Sequence, residues 1–251
     1  MQPAATIDEV INQLNLVIQH SKQSNSRIGY FATLYKRMTL AVNQGIKNGS
    51  FEDGPRMEKL DVIFANRYLS AWNAYINKQP CPNAWCRAFD ASKQSNLTVL
   101  QHLLLGINTH INLDLCIAAA ETSPQKAIYS LQNDFNKINQ VIAAESQKVQ
   151  IILERIWPPL KLLAHICNNK EQAVINFSID IARKVSWENA VLLATADDAF
   201  EKQLLNRIEN SVVEIGGRII SPGFMLSLLL KPVNWMENKS VAKLIDVLEA
   251  N

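Results

Sequence analysis

Between His102 and Asp114 the chain reads HLLLGINTHINLD, so His102, Gly106, His110 and Asp114 recur at every fourth residue of an apolar run. On a helix, residues four apart lie nearly above one another, drifting about 40° per step. Two imidazoles and a carboxylate therefore share one slanted stripe, with a glycine in its middle where a backbone or a ligand can come close. Burying such groups without partners costs on the order of 2–7 kcal/mol each. They satisfy one another, or they hold something. Neutral imidazole and carboxylate suit zinc, iron or manganese, and spacing by four lets one helix present two ligands to a single ion. His110 and Asp114 are the natural metal pair. His102 lies about 12 Å along the axis from His110 at 1.5 Å per residue, so it serves a second metal or acts on substrate. The alternative is a buried His–Asp hydrogen bond that stabilises the bundle.

A second constellation is RMEKLDVIFANRYLSAW, from Arg56 to Trp72. Asp61, Ala65, Tyr68 and Trp72 share one face at helical spacing, so an acid begins an aromatic stripe. Asp61 is a candidate ligand or general base, paired with His102 as the catalytic groups. Tyr68, Trp72, Gly106 and Arg67 are the candidate substrate-pocket residues. The alternative makes the aromatics core and pairs Asp61 with an arginine. His165, in LLAHIC, reads as a core histidine, His20 as exposed, and Glu188 beside Trp187 as a solvated acid. No nucleophile elbow, Walker loop or dinucleotide fingerprint appears, and Gly216-Gly217-Arg218 lacks the strand a phosphate loop requires.

The elements that must position these groups are helices. Thr6-Ile7-Asp8-Glu9 matches a capping box and opens a helix ending near Ser21. A second helix runs from Arg27 to Lys47 and stops at Asn48-Gly49. Asp53-Gly54-Pro55 caps a third, reaching about Asn77. A proline-interrupted connection from Pro80 to Lys93 holds a short helix around Trp85 to Phe89. The helix carrying the histidines spans about Leu97 to Ala120 and has no wide charged face, which makes it central. Its Gln101, Asn108 and Asn112 form a separate polar strip. Ser123-Pro124 starts a helical region continuing to Ile156, and Trp157-Pro158-Pro159 is the clearest break. Helices follow from about Pro159 to Cys167, Lys170 to Ala194, Asp197 to Val213 and Lys239 to Glu249. Gly216-Gly217 and Pro222-Gly223 punctuate a looser C-terminal part.

With 48% hydrophobic residues, 8 glycines and 9 prolines in 251, the chain can bury a sizeable core and favours helix over sheet. These readings give an all-α fold, a single-domain multi-helix bundle over residues 1–251 with a buried central helix at about 97–120. A formal charge of +2 with 19% charged residues carries no basic excess, so no nucleic-acid partner is expected. The start MQPAATIDEV lacks the parts of a signal peptide, and FMLSLLL is too short to span a bilayer. The expectation is a cytoplasmic protein without a membrane span, its four cysteines as reduced thiols. Oligomeric state is not readable.

HLLLGINTHINLDL and FEDGPRMEKLDVIFANRYLSAW resemble an uncharacterised, mainly bacterial domain-of-unknown-function family, over roughly Arg37 to Ala194. The resemblance implies that both blocks belong to one domain and supplies no activity. LLGINTHINLD is also similar to the LG-x3-H-x3-D helix of the zinc-dependent phospholipase C and single-strand nuclease superfamily. That similarity implies a helical scaffold with His110 and Asp114 as zinc ligands. Those enzymes use many more histidines, an N-terminal tryptophan ligand and a secretion signal, whereas this chain has four histidines and starts Met1-Gln2. A reduced site is implied, not a full three-zinc cluster.

Three functions fit these readings. The first is a metal-assisted enzyme, in which a divalent ion lowers the pKa of bound water for hydrolysis or Lewis-acid chemistry. The second is a metal-free small-molecule enzyme or binder with an apolar pocket, His102 or His110 serving as an acid–base group. The third is a helical interaction protein whose His/Asp cluster only fixes packing.

Overall fold

Polar caps set where this chain turns into helix. The computed structural model describes residues 1–141, 170–223, 234, 235, 237 and 240–250, with backbone alone for 170–178. The expected break at Trp157-Pro158-Pro159, the helix from Pro159 to Cys167, and His165 lie outside these residues. α1 (Ile7–Gln23) begins at Thr6, whose hydroxyl accepts the Glu9 N–H. The Glu9 carboxylate accepts from Ala5, one residue before the cap, which shifts the expected capping box by one. α2 (Ile28–Lys47) ends ahead of Gly49, which takes the left-handed conformation at φ 67°. α3 (Gly54–Ile76) starts from Asp53, which accepts the Arg56 N–H. α4 (Asn83–Ala91) is the short helix expected in the proline-interrupted connection. Cys81 and Cys86 do not remain thiols. Folding the chain over the start of α4 brings their Cα atoms to 6.2 Å, within disulfide range, and they are bonded.

The central helix is longer and less regular than its pattern implies. α5 (Val99–Thr109) opens with a capping box between Thr98 and Gln101. It passes through a π-helical turn at His110–Asp114 and continues as α6 (Leu115–Thr122). The regular helix thus widens at the residues that carry the polar pair, a place where π turns recur at functional sites. By length and composition the Val99–Thr122 rod could cross a bilayer, with mean hydropathy 1.4, yet 78% of its most apolar window is buried inside the fold. Its apolar surface is used in packing.

The rod threads two cores. Val99 and Leu103 belong to one, with Leu14 and Ile18 of α1, Phe31 of α2 and Tyr68 of α3. Leu113, Leu115 and Cys116 belong to the other, with Met57 and Leu60 of α3 and Phe135. Phe64 of α3 packs against both, at the level of the π turn. After a 3-10 turn (Gln125–Leu131), residues 132–141 are helical. α7 (Lys170–Thr195) packs on α6, α8 (Asp198–Ile220) on α4 and α5, and α9 (Val241–Glu249) on α2. Among the described residues there is no strand, and the fold is an all-α bundle.

α8 runs through Gly216 and Gly217, seven residues beyond the expected end at Val213. Their small size lets it approach its neighbours: a Cβ on Gly217 would lie 2.9 Å from the Arg87 guanidinium. The polar strip of the rod fastens the same contact. Gln101 Nε2 donates to the Ile219 carbonyl at 2.8 Å, and Asn108 Nδ2 to that of Val212 at 2.9 Å.

Candidate functional site

The π turn keeps His110 and Asp114 on one side of the rod, with His110 Nδ1 2.9 Å from Asp114 Oδ2. An ionised carboxylate only accepts, so Nδ1 carries the proton and Nε2 presents a lone pair. Burial lowers the His110 pKa against the opposing pull of Asp114, which leaves the ring neutral. Asp114 is 1% exposed and accepts twice more, from Trp85 Nε1 of α4 at 2.9 Å and from Arg67 Nε of α3 at 3.1 Å. Rod, α3 and α4 meet at one carboxylate. Aromatic rings close round it: Phe64 stacks on His110 at 3.5 Å and 9°, and Tyr35 meets it edge-on at 4.4 Å. In this apolar setting His110 Nε2 has no hydrogen-bond partner among the described residues.

His102 occupies a different place. It lines a small, half-open cleft between α2, α3, α4 and α5, whose cavity of about 20 Å³ has room for about one water. Phe31, Tyr68, Trp85 and Phe89 form the apolar face, and Arg27, Ser92 and His102 supply the polar groups. Gly106 lies in the same wall, where a Cβ would run into the Phe31 ring. The space left by the missing side chain is taken by that phenylalanine. His102 is 6% exposed, and burial brings its pKa down to about 4. Arg27 pushes the same way, and backbone groups of Gln94 and Leu97 oppose. Its Nε2 has no hydrogen-bond partner among the described residues. Tyr30 stands edge-on to the ring at 6.0 Å, its phenol lifted to about 12 by burial, with Arg27 opposing and Glu237 assisting.

Asp61 is 7% exposed, and its Oδ2 has no hydrogen-bond partner among the described residues. Burial first, and Glu58 one turn earlier, raise its carboxyl to about 7. The arginines that could have paired with it are engaged elsewhere, Arg67 on Asp114 and Arg56 on Asp134, each at 3.1 Å. Asp61 reaches the His110 centre electrostatically through Tyr35, whose phenol is held well above its usual range by burial, then Asp61, then Asp114. Trp72 is buried away from the cleft wall, edge-on to His20 at 5.5 Å. His20 and Glu188 are exposed.

The sequence-derived residues therefore fall into two groups and two outliers. His110, Asp114 and Arg67 meet at the π turn, His102, Tyr68 and Gly106 line the cleft, and Asp61 and Trp72 join neither. As ligands for a divalent ion the donors fit poorly. Both Asp114 oxygens already accept from protein groups, which leaves His110 Nε2 as the open ligand atom. Among the described residues no three His, Cys, Asp or Glu side chains are grouped to hold a metal. Sequence reasoning passed over Trp85, Phe31, Phe64 and Arg27. One signal pointed to Arg27: a cation at a helix N-terminus opposes the helix dipole, so its position there needs another reason.

Residues 7–222 match a family described as a family of unknown function, DUF5995, reaching beyond the 37–194 stretch expected. No curated protein and no solved structure matches the chain. The matched stretch takes in the rod, the Asp114 cluster and every residue of the cleft wall. The chain belongs to this family of unknown function.

Proposed function

We propose that this chain is a metal-free small-molecule-binding protein whose ligand enters at the cleft by parting its aromatic wall, with His102 as a proton-accepting contact. The observation that carries the reading is His102 itself, a neutral, nearly buried imidazole in the cleft wall with no partner at Nε2 among the described residues. Ligand sites combine an apolar lining with a few convergent polar groups, and four aromatic rings with Arg27, Ser92 and His102 have that composition. His110 then acts behind the cleft, its Asp114 partner holding Trp85 in the wall. A hydrolytic site built on zinc, iron or manganese has thinner support, because both Asp114 oxygens already accept from protein donors. A cytoplasmic location would have to accommodate the Cys81–Cys86 disulfide, a bond more at home in an oxidising compartment.

The test is NMR of the whole protein with flat aromatic fragments such as indole and 2-naphthol. Shifts are expected at the Trp85 indole N–H and the Gly106 amide, unchanged by EDTA and lost in His102→Leu. Fragments that perturb only other regions, or binding that a chelator abolishes, would reject the reading.

A further inference from the structure

Cys81 and Cys86 bracket the start of α4, and their bond closes a loop with a sequence separation of only 5. A cross-link stabilises by restricting the unfolded chain, and so short a loop gives it little to restrict. The bundle does not hang on this bond, since α4 packs on α3, α5 and α8 and buries Ala84, Trp85 and Phe89. Both bonded cysteines keep part of their surface in water, whereas the free Cys116 is fully buried. The bond does matter locally. α4 has 9 residues, too few to be stable as a helix by itself, and its N-cap Pro82 makes no side-chain hydrogen bond. Its beginning is held instead by the disulfide, by the Glu209 carboxylate accepting the Ala84 N–H at 3.4 Å, and by the Trp85 indole donating to Asp114 at 2.9 Å.

We propose that Cys81–Cys86 is a reversible thiol–disulfide couple, open to exchange with dissolved thiols, that sets how firmly Trp85 is tied to Asp114. In the opening direction an external thiolate bonds to one of the two sulfurs, and the other leaves as a thiolate. A second external thiol then forms a disulfide with the first and releases the remaining cysteine. The protein disulfide thereby gains two electrons and two protons, and two external thiols become one external disulfide. The uncapped first turn of α4 favours a thiolate, because its N–H groups carry partial positive charge. With the bond open, Cys81 is no longer pinned to α4, and the helix loses the tether adjacent to Trp85 in sequence. The indole N–H then parts from Asp114 more often. His110 and Arg67 share that carboxylate, so the change is carried to the π turn and to α3. The couple acts whether or not a ligand enters the cleft.

The experiment equilibrates the full chain with reduced and oxidised glutathione, and with dithiothreitol, and reads free thiols by mass after alkylation. NMR follows the Trp85 indole N–H and the His110 ring in the same samples. Cys81 and Cys86 are expected to open together while the buried Cys116 stays unlabelled and the helical circular dichroism is unchanged. Opening should speed hydrogen exchange at the Trp85 indole at least tenfold and shift the His110 resonances, and oxidised glutathione should restore both. The double variant Cys81→Ser, Cys86→Ser should show the open-state spectrum and ignore glutathione. A bond that neither reductant opens in the folded chain overturns the proposal. So does an opened bond that leaves indole exchange as it was. The titration of the unaltered chain decides the matter even if the double variant folds poorly.

Discussion

The two imidazoles of the rod differ in everything except burial. His110 is 3% and His102 6% exposed, and burial lowers the pKa of both. His110 has an acid beside it, and that acid also binds Trp85 and Arg67, so the imidazole belongs to a knot joining the rod to α3 and α4. His102 has a cation nearby, and its Nε2 has no partner among the described residues. Two residues of one type, eight apart on one helix, are read alike in sequence. The neighbours that α2, α3 and α4 bring make one a structural tie and leave the other in the wall of a small cleft.

The largest effect should come from cutting the tie. Asp114→Ala strands the Trp85 indole N–H, the Arg67 guanidinium and the His110 Nδ1–H together. Removing one member of a buried charged pair costs about 3–5 kcal/mol, to be read from the denaturant midpoint. His102→Leu should move that midpoint at pH 7 by no more than about 1 kcal/mol, the range of tolerated core exchanges. Similar losses from both variants would break the comparison.

Asp61 sharpens it, being the buried carboxyl that the tie leaves out. Folded, it titrates near 7 against an ordinary 3.8, so between those values the folded chain holds a proton that the unfolded chain has released. Stability therefore falls as pH rises from about 4 to about 7 and is level above. Asp61→Asn should remove this penalty and raise stability at pH 8 by an amount on the order of 4 kcal/mol at most. An unchanged or lower midpoint at pH 8 would mean that the carboxylate has a partner in solution. Gly106→Ala comes next. Its Cβ would meet Cβ and Cγ of Phe31, atoms too near the backbone to swing aside. Overpacking of this kind costs about 1–3 kcal/mol, and a displaced Phe31 should also abolish fragment binding in the cleft.

What the sequence disclosed was local. Thr6, Asp53 and Asn48-Gly49 mark helix ends because a cap acts on N–H or C=O groups one turn away, and the observed ends follow them closely. The His110–Asp114 contact was legible for the same reason, both groups lying on one turn. The other two ligands of Asp114 were not. Trp85 and Arg67 lie 29 and 47 residues away, and no periodicity within one helix reports what another helix places against it. The π turn, the passage of α8 through Gly216-Gly217 and the position of Arg27 in the cleft depend on the same long-range packing. At Gly106 the close approach is made by a phenylalanine of the protein itself, where the sequence suggested a backbone or a ligand.

The smallest effect at neutral pH, and the most discriminating, concerns His102. Its folded pKa lies near 4 against an ordinary 6.5, so between those values the unfolded chain binds a proton that the folded chain refuses. Stability from this group rises with pH across that window and is level above it, opposite in sign to the contribution of Asp61. The two nearly cancel between pH 4 and 6.5, and the unaltered protein should show a shallow profile there. His102→Gln removes the rising part: it should leave the midpoint at pH 7 almost unchanged, stabilise by about 2 kcal/mol at pH 5, and unmask the fall due to Asp61. Asp61→Asn should unmask the rise due to His102. If instead His102→Gln leaves the pH 5 midpoint where it was, the imidazole is already protonated in the folded state. The cleft would then present two cations in place of one, and the contrast with His110 would be lost.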